Sequence, residues 1–118
     1  MDQQTVDRLR ERLRSEQSEL HRQLDDLGAR PDAEGIEKPD LNEGFADAGQ
    51  AAAERASLLT LVRSLRDTLR DVEQALGKME AGTYGLCERC GQPIGDERLE
   101  ALPAARLCMT CKRQRGSR

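Results

Sequence analysis

One run of apolar residues, spaced alternately four and three apart, constrains the fold of this chain more than any other feature of its sequence. Seven residues form the run: Leu58, Val62, Leu65, Leu69, Val72, Leu76 and Met79. A heptad seam of this kind predicts a helix over 47–80 that must bury its apolar stripe against another helix. At 1.5 Å per residue, such a helix would be roughly 50 Å long.

A second apolar stripe, earlier in the chain, supplies the partner. It predicts a helix over 3–28 with Gly28 as its C-cap residue, and its members are Val6, Leu9, Leu13, Leu20, Leu24 and Leu27. Because the two stripes match and the first has no other use, we favour an antiparallel hairpin within one chain, and hence a monomer. The alternative is a dimer in which the second helices of two chains pair.

The segment over 29–46 connects the two predicted helices. Pro31 and Pro39 prevent a continuous helix across it. The stretch 29–47 carries six acidic and two basic residues. The sequence therefore predicts a coiled-coil hairpin over 1–81 with an acidic tip loop.

Composition excludes several fold and function classes. Phe45 and Tyr84 are the only aromatic residues among 118, and 35% of the chain is charged, which argues against a β-sandwich or a doubly wound α/β enzyme. Neither a secretory leader nor an 18-residue apolar run is visible, so we expect no membrane association and a cytoplasmic location. His21, the single histidine, has no catalytic partners in the sequence, and we expect no enzymatic activity.

The four cysteines all lie in the last third of the chain. They form two C-x2-C pairs, Cys87 with Cys90 and Cys108 with Cys111, separated by seventeen residues. This spacing is typical of a zinc site, and four thiolate ligands leave no open position for catalysis. We therefore predict one structural Zn²⁺ in a C4 zinc finger over 82–118. The alternative, a redox-active pair of C-x2-C motifs, lacks the βαβ context of thioredoxin-like proteins.

The finger shows no sign of sequence-specific DNA recognition. Its loop between the cysteine pairs mixes acidic and basic residues and has no basic recognition helix. For the short basic tail we favour a solvated, frayed terminus over a role in phosphate contact. The predicted fold class is thus mainly α, an antiparallel coiled-coil helical hairpin followed by a small C4 zinc finger.

Residues 82–112 closely resemble the zinc finger of the DksA/TraR family of bacterial transcription regulators. The similarity extends well beyond cysteine spacing, to Tyr84-Gly85, Cys90-Gly91, Pro93-Ile94-Gly95, Arg98-Leu99-Glu100-Ala101, Pro103 and Leu107-Cys108. The resemblance implies a protein that inserts its hairpin into the secondary channel of RNA polymerase and modulates initiation, as in the stringent response. A stress-associated zinc-binding coiled-coil interaction protein, without DksA-like activity, is the alternative.

The family motif D-x-x-D-x-A at the tip is only partly matched. A gap-free count from the first cysteine places Asp47 at the second aspartate, and Gly44 and Gly49 at the other two positions. Asp47 and the neighbouring Glu43 are the candidate polymerase contacts. Asp47 is equally suited to capping the second helix.

The resemblance also implies ppGpp as a ligand. Lys112, directly after the last cysteine, matches a family alarmone contact. The same gap-free count places Ser64 and Asp71 at the two basic helix positions. Because Asp71 would repel a pyrophosphate, we do not expect strong dependence on ppGpp.

Overall fold

The computed structural model describes residues 1–29 and 48–116, which form four helices. Their bounds are α1 Gln3–Asp26, α2 Ala48–Ala81, α3 Asp96–Ala101 and α4 Met109–Gly116. The described residues contain no β-strand, and Leu86 and Pro93 form an isolated antiparallel bridge. The fold is mainly α, with α1 and α2 as an antiparallel helical hairpin and the four cysteines clustered after it. The tip residues Glu43, Gly44 and Asp47 lie outside the described part of the chain.

Helix α1 is capped at its start by Asp2 and at its end by Gly28. The Asp2 carboxylate accepts the backbone N–H of Thr5 at 2.8 Å and thereby caps the helix. Hydrogen bonds from the Thr5 side chain, and then from its backbone N–H, lower the pKa of Asp2. At the other end Gly28 has φ +76°. Its N–H donates to Asp25 O, and Ala29 N–H donates to Leu24 O, both at 2.9 Å. These two bonds form a Schellman motif, which ends α1 at Asp26 where the sequence predicted residue 28.

The apolar stripes become the buried faces of α1 and α2. The buried side chains include Leu9, Leu13, Leu20 and Leu24 of α1 and Val62, Leu69, Val72, Ala75 and Met79 of α2. Leu58, Leu65 and Leu76 are half-buried, as expected for flanks of a seam. Gln17 takes the seam position between Leu13 and Leu20, and its amide donates to Glu73 Oε2 at 3.3 Å.

The chain divides into two compact units. One comprises Met1–Gln17 together with Arg70–Arg118, and the other comprises Ser18–Leu69. The unit with the cysteines thus includes the first half of α1 and the last part of α2. The sequence-based division at residue 82 stays a prediction. Over the described ranges, no helix has the length and apolar character needed to cross a bilayer.

Two glycines of the hairpin predict opposite responses to alanine. Gly28→Ala places a Cβ at φ +76°, so we expect a loss of about 1 kcal/mol in the free energy of unfolding. Gly77→Ala adds a Cβ that meets nothing within 4 Å, and in mid-helix it should gain about 0.5–1 kcal/mol. Urea unfolding followed by circular dichroism measures both. Equal responses would contradict the left-handed termination of α1.

Candidate zinc centre

The four cysteine sulfurs converge on one point. The Sγ atoms of Cys87, Cys90, Cys108 and Cys111 all lie within 4.8 Å of one another. Cys90 Sγ and Cys108 Sγ are 3.8 Å apart, the edge of about 3.8 Å expected when two sulfurs bind a tetrahedral zinc at about 2.3 Å. The donor set therefore fits one structural zinc with all four positions taken by protein.

A tight turn forms the first pair of ligands. Cys87 N–H donates to Gln92 O at 2.8 Å, and Gly91 N–H donates back to Cys87 O at 3.0 Å. Gly91 has φ +75°, a left-handed conformation that glycine adopts without strain. The turn brings the buried Cys87 and the exposed Cys90 to the same side. Gly91 is thus part of a tight turn, which suits its residue type.

The second pair of ligands lies at the start of α4. Cys108 directly precedes the helix and Cys111 lies in its first turn, while Lys112 N–H donates to Cys108 O at 2.9 Å. The helix continues through Gly116. The prediction of a solvated, frayed tail is therefore wrong about fraying at Lys112, Arg113 and Arg115, which are helical. Their side chains are exposed, as a solvated tail requires.

The pKa values of the cysteine thiols shift in opposite directions within the cluster. A hydrogen bond from the Cys108 backbone is the main cause that lowers the pKa of Cys87, to about 6. Burial, followed by the neighbouring thiols, raises the pKa of Cys111 to about 12. Four thiolates so close together need a cation to offset their mutual repulsion, and a divalent metal supplies it while displacing the protons.

A small apolar cluster supports the metal site. Leu99 of α3 is 1% exposed, and Ile94 and Ala105 are 8% exposed. Gly85 has φ +93°, and a Cβ there would lie 3.5 Å from Leu99 Cδ1. Tyr84, the residue before it, donates its hydroxyl to Pro103 O at 2.8 Å, and burial raises the pKa of Tyr84 to about 12.

Helix α1 is tied to the finger through Glu100. The Arg8 guanidinium forms an ion pair with the Glu100 carboxylate. Arg12 donates to the backbone carbonyl of the same residue at 2.6 Å. Both arginines are exposed and lie on a flank of the α1 seam, since Arg8 precedes Leu9 and Arg12 precedes Leu13. This flank positions the finger.

Helix α2 is tied to the finger through Glu88, within the first cysteine pair. Lys78 Nζ lies 2.5 Å from Glu88 Oε2, and Arg106 Nε lies 3.0 Å from Glu88 Oε1. Arg106 also pairs with Asp71 of α2 at 3.4 Å. The hydrogen bond from Lys78 is the main cause that lowers the pKa of Glu88. A chain of four charges thus joins the metal-binding loop to α2.

This chain of charges predicts a pH-dependent stability. Because the folded-state pKa of Glu88 is lowered, its contribution is present above the ordinary pKa and is lost as the pH falls through the folded pKa. Glu88→Gln should reduce the free energy of unfolding at pH 7 by less than about 1 kcal/mol. It should also flatten the stability profile below pH 5. Glu97→Gln is the matched control, because Glu97 is exposed on α3. An unchanged profile in Glu88→Gln would contradict the pairing.

The structure brings together the four predicted metal ligands. Of the other predicted site residues, Glu43 and Asp47 lie outside the described part of the chain. Lys112 is exposed on α4, and His21 is half-buried on α1 and has a partner. Sequence reasoning missed the roles of Arg8, Glu88 and Arg106, because ion pairs between distant residues leave no periodic signal in a sequence.

Comparisons with known proteins agree with this geometry. Residues 82–115 match the prokaryotic dksA/traR C4-type zinc finger. General stress protein 16O of Bacillus subtilis is 43% identical over 67 residues, which cover 57% of this chain and 41% of that protein. The RNA polymerase-binding transcription factor DksA of Escherichia coli K12 is 47% identical over 47 residues, 40% of this chain and 31% of that protein.

A solved structure extends the similarity to the hairpin. Transcription factor DksA2 from Pseudomonas aeruginosa has a TM-score of 0.79 and 26% identity, over 99% of this chain and 87% of that chain. The aligned segments span less than half the length of the two curated relatives. The likeness to them is concentrated in part of each protein, whereas the likeness in fold covers nearly all of this one.

Proposed function

Because the chain belongs to the DksA/TraR family, we propose that it is a non-enzymatic bacterial transcription regulator that binds RNA polymerase. The observation that carries the proposal is a C4 zinc centre joined to a helical hairpin. The zinc has no position left for a substrate, so the protein acts through its surfaces. Arg8, Arg12 and Glu88 fix the finger to the base of the hairpin, which suits a protein that uses one part to dock and another to act.

The proposed mechanism is insertion of the hairpin tip into the secondary channel. The loop over 29–46 is acidic, and Asp47 and Glu43 are the residues proposed to act on polymerase. Carboxylates there would pair with basic groups of the enzyme or act near its catalytic metal. Insertion would alter the stability of promoter complexes without reading DNA sequence.

The proposal also defines the setting in which the protein works. The partner is polymerase in the cytoplasm, and the active species is a zinc-loaded monomer. Lys112 is the proposed alarmone contact. Asp71 takes one of the two positions on the second helix that are basic in the family, which argues against strong dependence on ppGpp. Neither a membrane nor a specific DNA sequence is required.

Binding to purified core polymerase tests the proposal. The zinc-loaded chain, immobilised through an N-terminal tag, should retain core enzyme in the absence of DNA. The variant in which residues 30–47 are replaced by a short Gly/Ser linker should still bind but should lose any effect on transcription. Absence of retention by the intact chain would overturn the proposal.

The second candidate is a stress-associated zinc-binding coiled-coil protein that does not act on polymerase. The match to general stress protein 16O favours it, since that match covers more of this chain than the match to DksA does. Under this alternative, the zinc-loaded protein would fail to retain polymerase. Sedimentation over a range of concentrations would then show whether the apolar stripes pair in trans.

A further inference from the structure

Met109 is an exposed thioether set among the metal ligands. It lies between Cys108 and Cys111 in the sequence, begins α4, and is 46% exposed. Together with Cys90, Cys108 and Cys111 it borders a depression of about 630 Å³. The four cysteine sulfurs of residues 82–116 converge on the metal position. Met109 therefore carries the sulfur of this segment that the metal does not use.

A cationic donor already contacts this sulfur. The Arg98 guanidinium of α3 donates from Nη1 to Met109 Sδ at 3.0 Å and from Nε to Leu107 O at 3.0 Å. The bond to the carbonyl holds the guanidinium in place, so its other donor is directed at a thioether, which is a weak acceptor. A sulfoxide oxygen at the same position would be a far stronger acceptor for a charged donor.

We propose that Met109 is an oxidation site and that Arg98 binds the sulfoxide that forms there. The oxidant is of the hypohalous acid class. The thioether sulfur gives up an electron pair, an S–O bond forms, and hypochlorous acid leaves as chloride and a proton. A methionine sulfoxide reductase reverses the change, while two thiols become a disulfide and the oxygen leaves as water. This modification concerns the finger alone and requires no polymerase.

Oxidation at this position should leave the finger folded. Met79 of the seam is 8% exposed, and a polar sulfoxide there would disrupt apolar packing. Met109 is exposed, and its sulfoxide gains Arg98 as a hydrogen-bond donor. The link between α3 and the start of α4 should therefore become stronger, while the four thiolates stay on the metal.

The three methionines of the chain allow the comparison to be made in one experiment. The zinc-loaded full chain is treated at pH 7 with less than one equivalent of hypochlorous acid, and peptide mass spectrometry measures each sulfoxide. Met109 should be oxidised at least about tenfold more than the buried Met79, and to within about threefold of Met1, which is 47% exposed. Elemental analysis should still find one zinc per chain.

The NMR signals of the Arg98 side chain distinguish a site that binds the sulfoxide from an exposed methionine. In wild type, oxidation should shift the proton–nitrogen signals of Arg98 and slow the rotation of its guanidinium. Met109→Leu removes the sulfur and should show neither change after the same treatment. Met109→Gln places an amide oxygen at this position and should shift the Arg98 signals without any oxidant.

Three results would overturn the proposal. One is oxidation of Met109 no greater than that of Met79. Another is loss of zinc while Met109 stays reduced, because the thiolates would then be the sulfurs that react. The third is a sulfoxide at Met109 with the Arg98 signals of the untreated protein, which would indicate an exposed methionine only. Since no polymerase is present, each of these results is separate from the test of the proposed function.

Discussion

Cys111→Ser is expected to unfold residues 82–116 and to release the zinc. The cysteine is 5% exposed and is one of four sulfurs within 4.8 Å of one another. Burial raises the pKa of its thiol to about 12, so only a metal keeps a thiolate at this position near neutral pH. Serine offers a hydroxyl that is a poor zinc ligand, and three thiolates cannot complete the tetrahedron.

The expected effect is large because the finger has little else to stabilise it. Leu99 and Ile94 are among the few buried apolar side chains near the metal, and a segment this small needs a metal or disulfides to fold. Structural zinc contributes about 10–16 kcal/mol of apparent binding energy in small fingers. The free energy lost with the metal should therefore exceed the free energy of unfolding of this segment.

Elemental analysis and amide NMR spectra measure this outcome. Wild type should contain one zinc per chain, and Cys111→Ser none, with the amide signals of the finger collapsing toward random-coil positions. A strong chelator should do the same to wild type. Lowering the pH should also release zinc, since protons compete for the thiolates. The control Thr110→Ala, at an exposed site next to Cys111, should leave the zinc content and the amide NMR spectrum unchanged. A dispersed finger spectrum without zinc would contradict the structural role of the metal.

Asp47→Ala is expected to abolish the effect on transcription while polymerase binding stays within about twofold of wild type. Under the proposed mechanism, the finger and the hairpin provide affinity, whereas the tip carboxylate acts near the catalytic centre. Removal of one charge should then change the rate of initiation and not the occupancy. Reconstituted transcription at several promoters measures the effect, and polymerase retention measures the binding.

A second substitution separates tip function from helix capping. Helix α2 begins at Ala48, so Asp47 directly precedes it in the sequence. Asparagine caps helices about as well as aspartate but carries no charge. Asp47→Asn should therefore lose the transcriptional effect and keep the helical content of wild type. Full activity in Asp47→Asn, with reduced activity and helicity in Asp47→Ala, would show that capping is the role of this residue.

The helices and the metal ligands were predictable because each leaves a regular pattern. The seam of α2 recurs in steps of four and three, and Val62, Leu69, Val72 and Met79 are buried as that pattern requires. The two C-x2-C pairs specify a common metal whatever the path between them. The end of α1 was also readable, since Gly28 is the residue type that a left-handed C-cap favours.

The remaining structure depends on contacts that the pattern does not encode. The ion pairs of Glu88 with Lys78 and Arg106 join residues 10 and 18 positions apart. Ala75 is 4% exposed, but a small residue between Val72 and Leu76 gives no separate signal for the seam. The helical state of the basic tail, in α4 Met109–Gly116, leaves no apolar periodicity in so short a segment, so the sequence pattern does not reveal it.

Cross-linking from the tip tests the central claim most directly. A photoreactive amino acid in place of Phe45 should cross-link, in the complex with RNA polymerase, to segments that line the secondary channel. The same probe in place of Gln114, exposed on α4, should cross-link only to the outer surface of the enzyme. Cross-links from position 45 to the polymerase exterior alone, or the same targets from both positions, would contradict insertion of the hairpin.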